Sequence, residues 1–246
     1  MGLLLSAAVS SFSANITIPD LVSTSSTGWY GSQENQEVEP GMEAKQIWDL
    51  EAFTLDNNKL GIIGGYNFKR GEAGMDPGDI FLSRSVPVYG PANDNTGSGN
   101  KIVMNDFGYD YAIKLNFPTN TYDVYQLNNS SSVTVYYGQN AESNPWRFSQ
   151  TNETVAFSGA FGYSTGLTDA QAGYSLTGGY HNVISGIDLS FLGSNTNFYS
   201  HYTMECGNDN LMGRGTTENV PEPTTMALFF TGLVGLIPLT RKKRKA

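Results

Sequence analysis

Residues 109–127, YDYAIKLNFPTNTYDVYQL, contain the clearest structural pattern in the chain. Apolar and polar side chains alternate over residues 109–117, turn-forming residues follow at 118–120, and a second strand-like run occupies residues 121–127. Because successive side chains of a strand point to opposite faces, this pattern predicts two β-strands joined by a tight turn. We therefore expect antiparallel sheet in this part of the chain.

Similar patterns recur along most of the sequence. A second hairpin is predicted over residues 45–68, with its turn at residues 56–58. Further strands are predicted at residues 78–82, 132–137, 182–192 and 198–204, and at most one helical turn at residues 167–171. Many short strands between turns indicate an all-β fold, a jelly-roll-like β-sandwich over residues 15–209 with a linker at residues 210–219.

The charge distribution excludes one class of partner. The 246-residue chain has 14 Lys and Arg residues, and five of them form the run Arg241, Lys242, Lys243, Arg244 and Lys245. The rest of the chain has nine basic and 23 acidic residues, which gives it a net charge of −14. Such a body repels nucleic acid, so no nucleic-acid partner is expected. The single cysteine, Cys206, excludes an internal disulfide and a Cys-rich zinc site.

The C-terminal residues 220–246 consist of three parts in a fixed order. Pro221, Glu222 and Pro223 form a stiff, non-helical segment, because proline fixes φ and lacks a backbone donor. Residues 224–240 carry no charge and as a helix would span about 25 Å, close to the thickness of a bilayer core. The basic residues 241–245 favour the cytoplasmic side. This order predicts a single C-terminal transmembrane helix with the body outside.

The same three-part order resembles the PEP-CTERM sorting signal of Gram-negative bacteria. The resemblance implies that exosortase, a membrane transpeptidase-like cysteine protease, processes the chain. It also implies that Pro221, Glu222 and Pro223 are recognition residues and that residues 241–245 are a cytoplasmic anchor. The implied location is an inner-membrane intermediate, followed by the cell surface or the extracellular matrix.

Two other parts of the chain agree with export. The apolar residues 3–9 and the small residues after them predict that residues 1–14 are the remnant of a signal peptide. Segments of the body, among them residues 28–31, 48–51 and 206–213, are similar to a group of exosortase-dependent bacterial surface proteins. That likeness implies location and lineage, and it assigns no catalytic residue.

The sequence offers little for catalysis. Its two histidines, His181 and His201, lie near no nucleophile motif, so we expect no catalytic residue and no enzyme activity. Residues 201–209 admit two interpretations. His201, Glu205 and Asp209 could supply a metal site, or the segment is a strand that ends in a turn with Cys206 buried, which is the favoured interpretation.

Ligand candidates are correspondingly weak. No cofactor is expected, and calcium is an alternative for which Asp76, Asp79 and Asp94 are weak candidates, because calcium prefers carboxylate and amide oxygens. Trp29 and Trp146 lie in loop-like segments and are candidate ligand-binding residues, since exposed aromatic rings stack on sugars.

These observations favour a structural or adhesive surface protein associated with exopolysaccharide. The alternative is a carbohydrate-binding module or a carbohydrate-active enzyme of the bacterial surface. A deep cleft with paired carboxylates and an exposed tryptophan floor would favour the alternative, whereas buried tryptophans under a polar surface would favour the first interpretation.

Overall fold

The computed structural model describes residues 13–18, 43–87, 99–137 and 143–219, and this part of the chain is almost entirely β-sheet. The strands are β1 (Ala14–Asn15), β2 (Leu50–Asp56), β3 (Lys59–Gly64), β4 (Ile80–Ser83), β5 (Gly99–Met104), β6 (Tyr111–Asn116), β7 (Thr121–Gln126), β8 (Ser132–Tyr137), β9 (Arg147–Ser149), β10 (Val155–Ala160), β11 (Gly162–Leu167), β12 (His181–Asp188), β13 (Asn197–Thr203) and β14 (Asn210–Thr216). The structure describes a short α-helix, α1 (Asp169–Ala172), and 3-10 segments at Glu43–Trp48 and Ser190–Leu192. The predicted all-β class is confirmed.

The strands form three antiparallel sheets. The first sheet has the order β1-β2-β3-β12-β11, the second has the order β10-β7-β6-β4-β13-β14, and the third has the order β5-β8-β9. The hairpin predicted from residues 109–127 is β6 and β7, in which Lys114 lies opposite Asp123. The hairpin predicted around residues 56–58 is β2 and β3.

The main hydrophobic core lies between the first and second sheets. Phe53 and Ile62 from the first sheet pack in one cluster with Ile113, Val124 and Phe198 from the second, and all five side chains are completely buried. Alternate residues of each strand enter this core, which is the arrangement of a β-sandwich.

A second core lies on the other face of the second sheet. There Phe81 and Tyr125 pack against Val133, Val135 and Phe148 of the third sheet. The middle sheet is therefore covered on both faces, which explains why all four residues of β4 are buried. The predicted sandwich lacked this third layer, because the half-exposed β5 and the short β9 carry weak patterns.

The predicted linker at residues 210–219 is wrong, because most of it is the edge strand β14. This strand pairs with β13 along its whole length, from Asn210 opposite Thr203 to Thr216 opposite Asn197. The glycines of this strand are typical of a linker in sequence, but in the structure they allow close packing against neighbouring side chains. A Cβ on Gly213 would lie 2.4 Å from Ser200 Oγ, and one on Gly215 would lie 2.7 Å from Phe198 Cζ. The fold therefore continues close to Pro221.

Residues 14–18 connect the edges of the two large sheets. Ile16 N–H donates to Phe53 O at 2.9 Å, and Arg214 N–H donates to Ile16 O at 2.9 Å. This short segment thus bridges β2 and β14 and partly covers these two edges against pairing with other chains.

Three predicted strands have different limits in the structure. Residues 43–48 are a 3-10 segment where part of a strand was predicted, β3 ends at Gly64, and β12 ends at Asp188 before a 3-10 turn. The helical turn predicted at residues 167–171 corresponds to α1. Within the described ranges, no helix is long and apolar enough to cross a membrane. Of the predicted signal-peptide remnant at residues 1–14, residues 1–12 lie outside the described ranges, and so does the tail from residue 220 onward.

Register defines two ends of the second sheet. The pair Asn197–Thr216 marks the end from which the chain leaves toward residue 219, which we call the tail end. The pairs Thr203–Asn210 and Asn116–Thr121 mark the opposite end, which we call the distal end.

Candidate functional site

A groove with both charged and aromatic side chains lies at the distal end of the second sheet. It consists of two adjoining depressions of about 240 and 420 Å³, both lined by Lys69, Lys114, Leu115 and Phe117. Asp76, Asp79 and Arg147 complete one depression, and Asn116, Asp123 and Tyr125 belong to the other. We call this surface the distal groove.

A structured turn presents Lys69 to the groove. The Asn67 side-chain oxygen accepts the N–H groups of Lys69 at 3.1 Å and of Arg70 at 3.0 Å. The same loop is tied to the core by Tyr66, whose hydroxyl donates to Met75 O at 3.0 Å. Asparagine side chains commonly stabilise turns in this way. Lys69 is therefore exposed at a fixed point of the rim.

Lys114 is held on the floor of the groove by a buried carboxylate. Its Nζ lies 3.6 Å from Asp79 Oδ2, donates to Phe148 O at 3.2 Å, and lies 5.8 Å from the centre of the Phe148 ring. Asp79 Oδ2 also accepts Phe148 N–H at 2.8 Å. Burial raises the pKa of Asp79, and the nearby Lys114 opposes that rise. The Lys114 side chain keeps 32% of its surface exposed, so it can still meet a ligand.

Arg147 and Asp76 form the outer wall of the groove. Arg147 Nη1 lies 3.6 Å from Asp76 Oδ2, and both side chains are largely exposed. The guanidinium also lies over the Trp146 ring at 5.4 Å. Asp76 is fixed through its backbone, because its N–H donates to Glu205 Oε2 at 3.0 Å.

The opposite wall carries an aromatic ring and a carboxylate. The half-buried Phe117 ring packs edge-on against Phe161 at 5.2 Å and Tyr163 at 5.0 Å. Asp123 lies opposite Lys114 in the sheet and accepts a hydrogen bond from the Ser158 hydroxyl at 2.5 Å. Cations, carboxylates, an amide and an aromatic ring thus meet on one open surface.

A second polar cluster lies inside the first sheet. His181 is completely buried, with Nδ1 at 2.6 Å from Glu51 Oε2 and Nε2 at 2.9 Å from Asp169 Oδ1. Asp169 opens α1, and its Oδ1 also accepts Gly179 N–H at 2.7 Å. Because both ring nitrogens are engaged by carboxylates, this histidine is built to hold α1 on the sheet and not to relay a proton to a nucleophile.

A separate depression of about 460 Å³ lies outside the distal groove, and the described residues that line it include no aromatic ring. It lies between the end of β7 and the turn before β10, and its walls include Gln126, Asn128, Thr151 and Glu153. Glu153 Oε2 accepts the N–H groups of Thr151 at 2.9 Å and Asn152 at 3.1 Å. Burial opposes ionisation of Glu153, but these donors lower its pKa overall. The carboxylate is already occupied by its own turn.

The family comparison concerns the C-terminal tail. The PEP-CTERM protein-sorting motif matches residues 219–245. The chain is a PEP-CTERM sorting domain-containing protein. A PEP-CTERM protein is exported, directed to the cell surface and processed by exosortase. No curated protein and no solved structure matches the chain.

The motif covers the predicted sorting residues of this PEP-CTERM protein, namely Pro221, Glu222 and Pro223, together with the basic residues 241–245. These residues, like Trp29 and Asp94, lie outside the described ranges. Their individual roles stay predictions.

Trp146 does not form the exposed sugar platform that its loop-like sequence predicted. Its side chain is 2% exposed, and its indole N–H donates to Asn100 Oδ1 at 3.0 Å. This hydrogen bond ties the ring to strand β5 of the third sheet. Burial of Trp146 therefore leaves Arg147 as the accessible group in this segment.

The carboxylates proposed for calcium reach the same groove, but each has a cation beside it. Asp76 faces Arg147 and Asp79 faces Lys114, and these positive charges oppose a divalent ion between them. No group of three His, Cys, Asp or Glu side chains with metal-binding geometry occurs among the described residues.

The segment 201–209 has the geometry of a strand and its following turn. His201 is buried and stacks on the Tyr109 ring at 5.7 Å. The Asp209 carboxylate is directed away from His201, because its Oδ2 accepts Leu50 N–H at 2.5 Å across the sandwich. Cys206 is half-buried. The alternative metal site from His201, Glu205 and Asp209 is not formed by these contacts, since Glu205 binds Asp76 N–H.

Sequence reasoning missed the Glu51–His181–Asp169 cluster and the distal groove. One indication of the cluster was present, because Glu51 lies within a strand whose other residues are apolar at most positions. A carboxylate at such a position needs a buried partner. Nothing local indicated that the partner would come from residue 181.

Proposed function

We propose that this protein is a non-enzymatic structural or adhesive component of the bacterial cell surface or extracellular matrix, associated with exopolysaccharide. The observation that carries the proposal is the sorting motif at residues 219–245, joined directly to a compact β-sandwich. In this proposal residues 224–240 span the inner membrane, residues 241–245 stay in the cytoplasm, and exosortase then releases the folded body outside.

Two features of the described residues support a non-enzymatic role. His181 has both nitrogens engaged by carboxylates, and His201 is buried beside aromatic rings. Of the two described tryptophans, Trp146 is buried, and Trp48 is half-buried and packs against the main core with its ring stacked on Tyr66 at 6.3 Å. This is the arrangement that favours a matrix component over an enzyme with a tryptophan-floored cleft.

The distal groove supports a second candidate, a carbohydrate-binding module. Its half-buried aromatic ring and hydrogen-bonding side chains are of the kinds that bind sugars. This role is compatible with the first, because a matrix protein can be retained by binding the polymer around it.

Cell fractionation tests the proposal. In the host cell, the processed protein should be recovered from the surface or matrix fraction, and enzymatic removal of the polysaccharide should release it into the medium. Recovery that is unchanged by polysaccharide removal contradicts the association. Release of new reducing ends when the purified protein is incubated with the polysaccharide contradicts the non-enzymatic role and supports the alternative enzyme.

A further inference from the structure

We infer that the distal groove is the polymer-binding site and that it selects acidic saccharides, with Lys69 as the group that meets the saccharide carboxylate. The inference rests on the proposed association with exopolysaccharide and adds to it a site and a ligand class. It follows from three observations: the charges in the groove, the shape of its aromatic wall, and its place in the fold.

Positive charge is scarce in the body and concentrated at this groove. Lys69, Lys114 and Arg147 are three of the nine basic residues outside residues 241–245, and Arg70 lies in the same turn as Lys69. At physiological ionic strength charges act over about 8 Å, so the local groups and not the net charge of −14 decide which ligand approaches here. The three cations are matched by Asp76, Asp79 and Asp123, so the groove is close to neutral while the rest of the body is strongly negative. An acidic polymer that is repelled by most of the surface can therefore still bind at this groove.

The cations in the groove differ in what they already bind. Lys114 is paired with the buried Asp79, and Arg147 is paired with Asp76. Among the described residues, Lys69 makes no ion pair, although its backbone is fixed by Asn67. An ammonium group that extends from a fixed backbone position on the rim and is not neutralised by a neighbouring carboxylate is suited to a charge-assisted hydrogen bond with a uronate.

The rest of the groove suits a sugar better than a simple anion. The Phe117 ring is held upright by Phe161 and Tyr163, and it lines both depressions beside Lys69. The Asn116 amide can donate hydrogen bonds to hydroxyl groups or accept them, and the Asp123 carboxylate can accept them, on the same side of the groove. A small inorganic anion would use the cations only, whereas a saccharide uses all of these groups.

The position of the groove also favours a polymer outside the cell. It lies at the distal end, and the chain leaves the fold at the tail end toward residue 219. An anchor in the residues after 219 would therefore be attached at the end of the sheet opposite the groove. The separate depression of about 460 Å³, beside Gln126 and Asn128, lies toward the tail end. Its Glu153 carboxylate already accepts hydrogen bonds from its own turn.

Polymer binding by the full-length protein in mild detergent tests the inference. The probes are alginate, which is a polyuronate, and dextran, which is neutral, with a chelator present to exclude bridging by calcium. The variant is Lys69→Glu. The matched control is Arg214→Glu, which changes the charge equally at an exposed position nearer the tail end. We expect the wild-type protein to bind alginate more tightly than dextran.

Lys69→Glu should weaken alginate binding about tenfold, as expected for loss of one charge-assisted hydrogen bond, while Arg214→Glu should bind like the wild type. Lys69→Gln should weaken binding in the same direction, which separates loss of the charge from reversal of it. Equal thermal midpoints for the three variants exclude loss of folding as the cause.

The other outcomes separate the inference from the proposed function. Alginate binding that Lys69→Glu and Arg214→Glu weaken equally overturns the assignment of the site and leaves the proposed function standing. Tighter binding to dextran than to alginate overturns the acidic ligand class only. Binding to neither polymer, together with no retention in the native matrix, overturns both.

Discussion

His181 Nδ1 lies 2.6 Å from Glu51 Oε2, although 130 residues separate the two in sequence. The contact joins two strands of the first sheet, and Asp169 extends it to α1. Burial by itself lowers the pKa of His181, but the hydrogen bonds to Asp169 and Glu51 outweigh burial, so the net shift is upward. Burial raises the pKa of Glu51, and the bond to His181 opposes that change. The contact therefore favours the protonated form of the imidazole relative to an isolated histidine at the same burial.

The first prediction concerns pH and His181. Because its pKa is raised in the folded state, its contribution to the free energy of unfolding is complete below its unfolded pKa of about 6.5. That contribution is lost as pH rises through the higher folded pKa. Urea unfolding between about pH 6 and 8 should therefore show the His181→Gln variant losing less stability with rising pH than the wild type. The same slope in both proteins would show that the Glu51–His181 contact is not ionic.

The second prediction concerns His201, for which the dependence of stability on pH has the opposite sign. Burial lowers the pKa of His201 to about 3. Its contribution to stability is therefore present above the unfolded pKa and is lost as pH falls toward the folded one, by at most about 1.4 kcal/mol per pH unit below pH 6.5. The measurement is urea unfolding between about pH 5 and 6.5, where most carboxylates stay ionised.

The His201→Gln variant should lose less stability over that acidic range than the wild type. Its matched comparison is His181→Gln, which should not lessen the loss, because the pKa of His181 is shifted in the other direction. If both variants change the slope in the same direction, the assignment of these two environments is wrong.

Local pattern was enough to predict the hairpins, because strand alternation and turn residues are properties of neighbouring positions. The β6–β7 hairpin is of this kind, with Pro118 and Asn120 at its turn. The third sheet could not be predicted in the same way, because burial of Phe148 depends on Phe81 and Tyr125 from distant strands. The distal groove is formed likewise by Lys69, Lys114 and Arg147 from three separate parts of the chain.

A third prediction tests why glycine occupies β14. Gly213→Ala places a methyl group 2.4 Å from Ser200 Oγ and 3.0 Å from Phe53 Cδ2, in the core between the large sheets. We expect a loss of about 1–3 kcal/mol in the free energy of unfolding, as for other overpacked cores. The control is Arg214→Ala at the adjacent exposed position, which should change stability by about 0.5 kcal/mol or less. Denaturant unfolding measures both, and equal stability for the two variants would contradict the packing role of Gly213.

A fourth prediction concerns the Asp79–Lys114 pair. Lys114→Met leaves the buried Asp79 carboxylate without its cation, so the free energy of unfolding at neutral pH should fall by about 1–3 kcal/mol. Asp79→Asn in the same chain should recover part of this loss, because the neutral amide needs no counter-charge. A double-mutant cycle measured by urea unfolding checks the coupling. Strictly additive effects of the two substitutions would show that the pair does not interact.

The last prediction concerns the junction between the fold and the sorting motif. Glu218 N–H donates to Asn58 Oδ1 at 2.6 Å, and Thr217 N–H donates to Thr196 O at 2.9 Å, so the sandwich is ordered up to the start of the matched residues 219–245. Replacing Pro221, Glu222 and Pro223 with alanine removes the stiff recognition segment without touching these bonds. We expect the full-length variant to accumulate in the inner membrane, detected by fractionation and by its larger mass.

The matched control for this experiment replaces Thr224 and Thr225 with alanine, immediately after the recognition segment. That variant keeps the Pro-Glu-Pro sequence, the uncharged segment and the basic run, so it should be processed like the wild type. Normal processing of the Pro-Glu-Pro variant would contradict recognition at these three residues. Failure of both variants would move the recognition site to the following segment, because the folded body is the same in each.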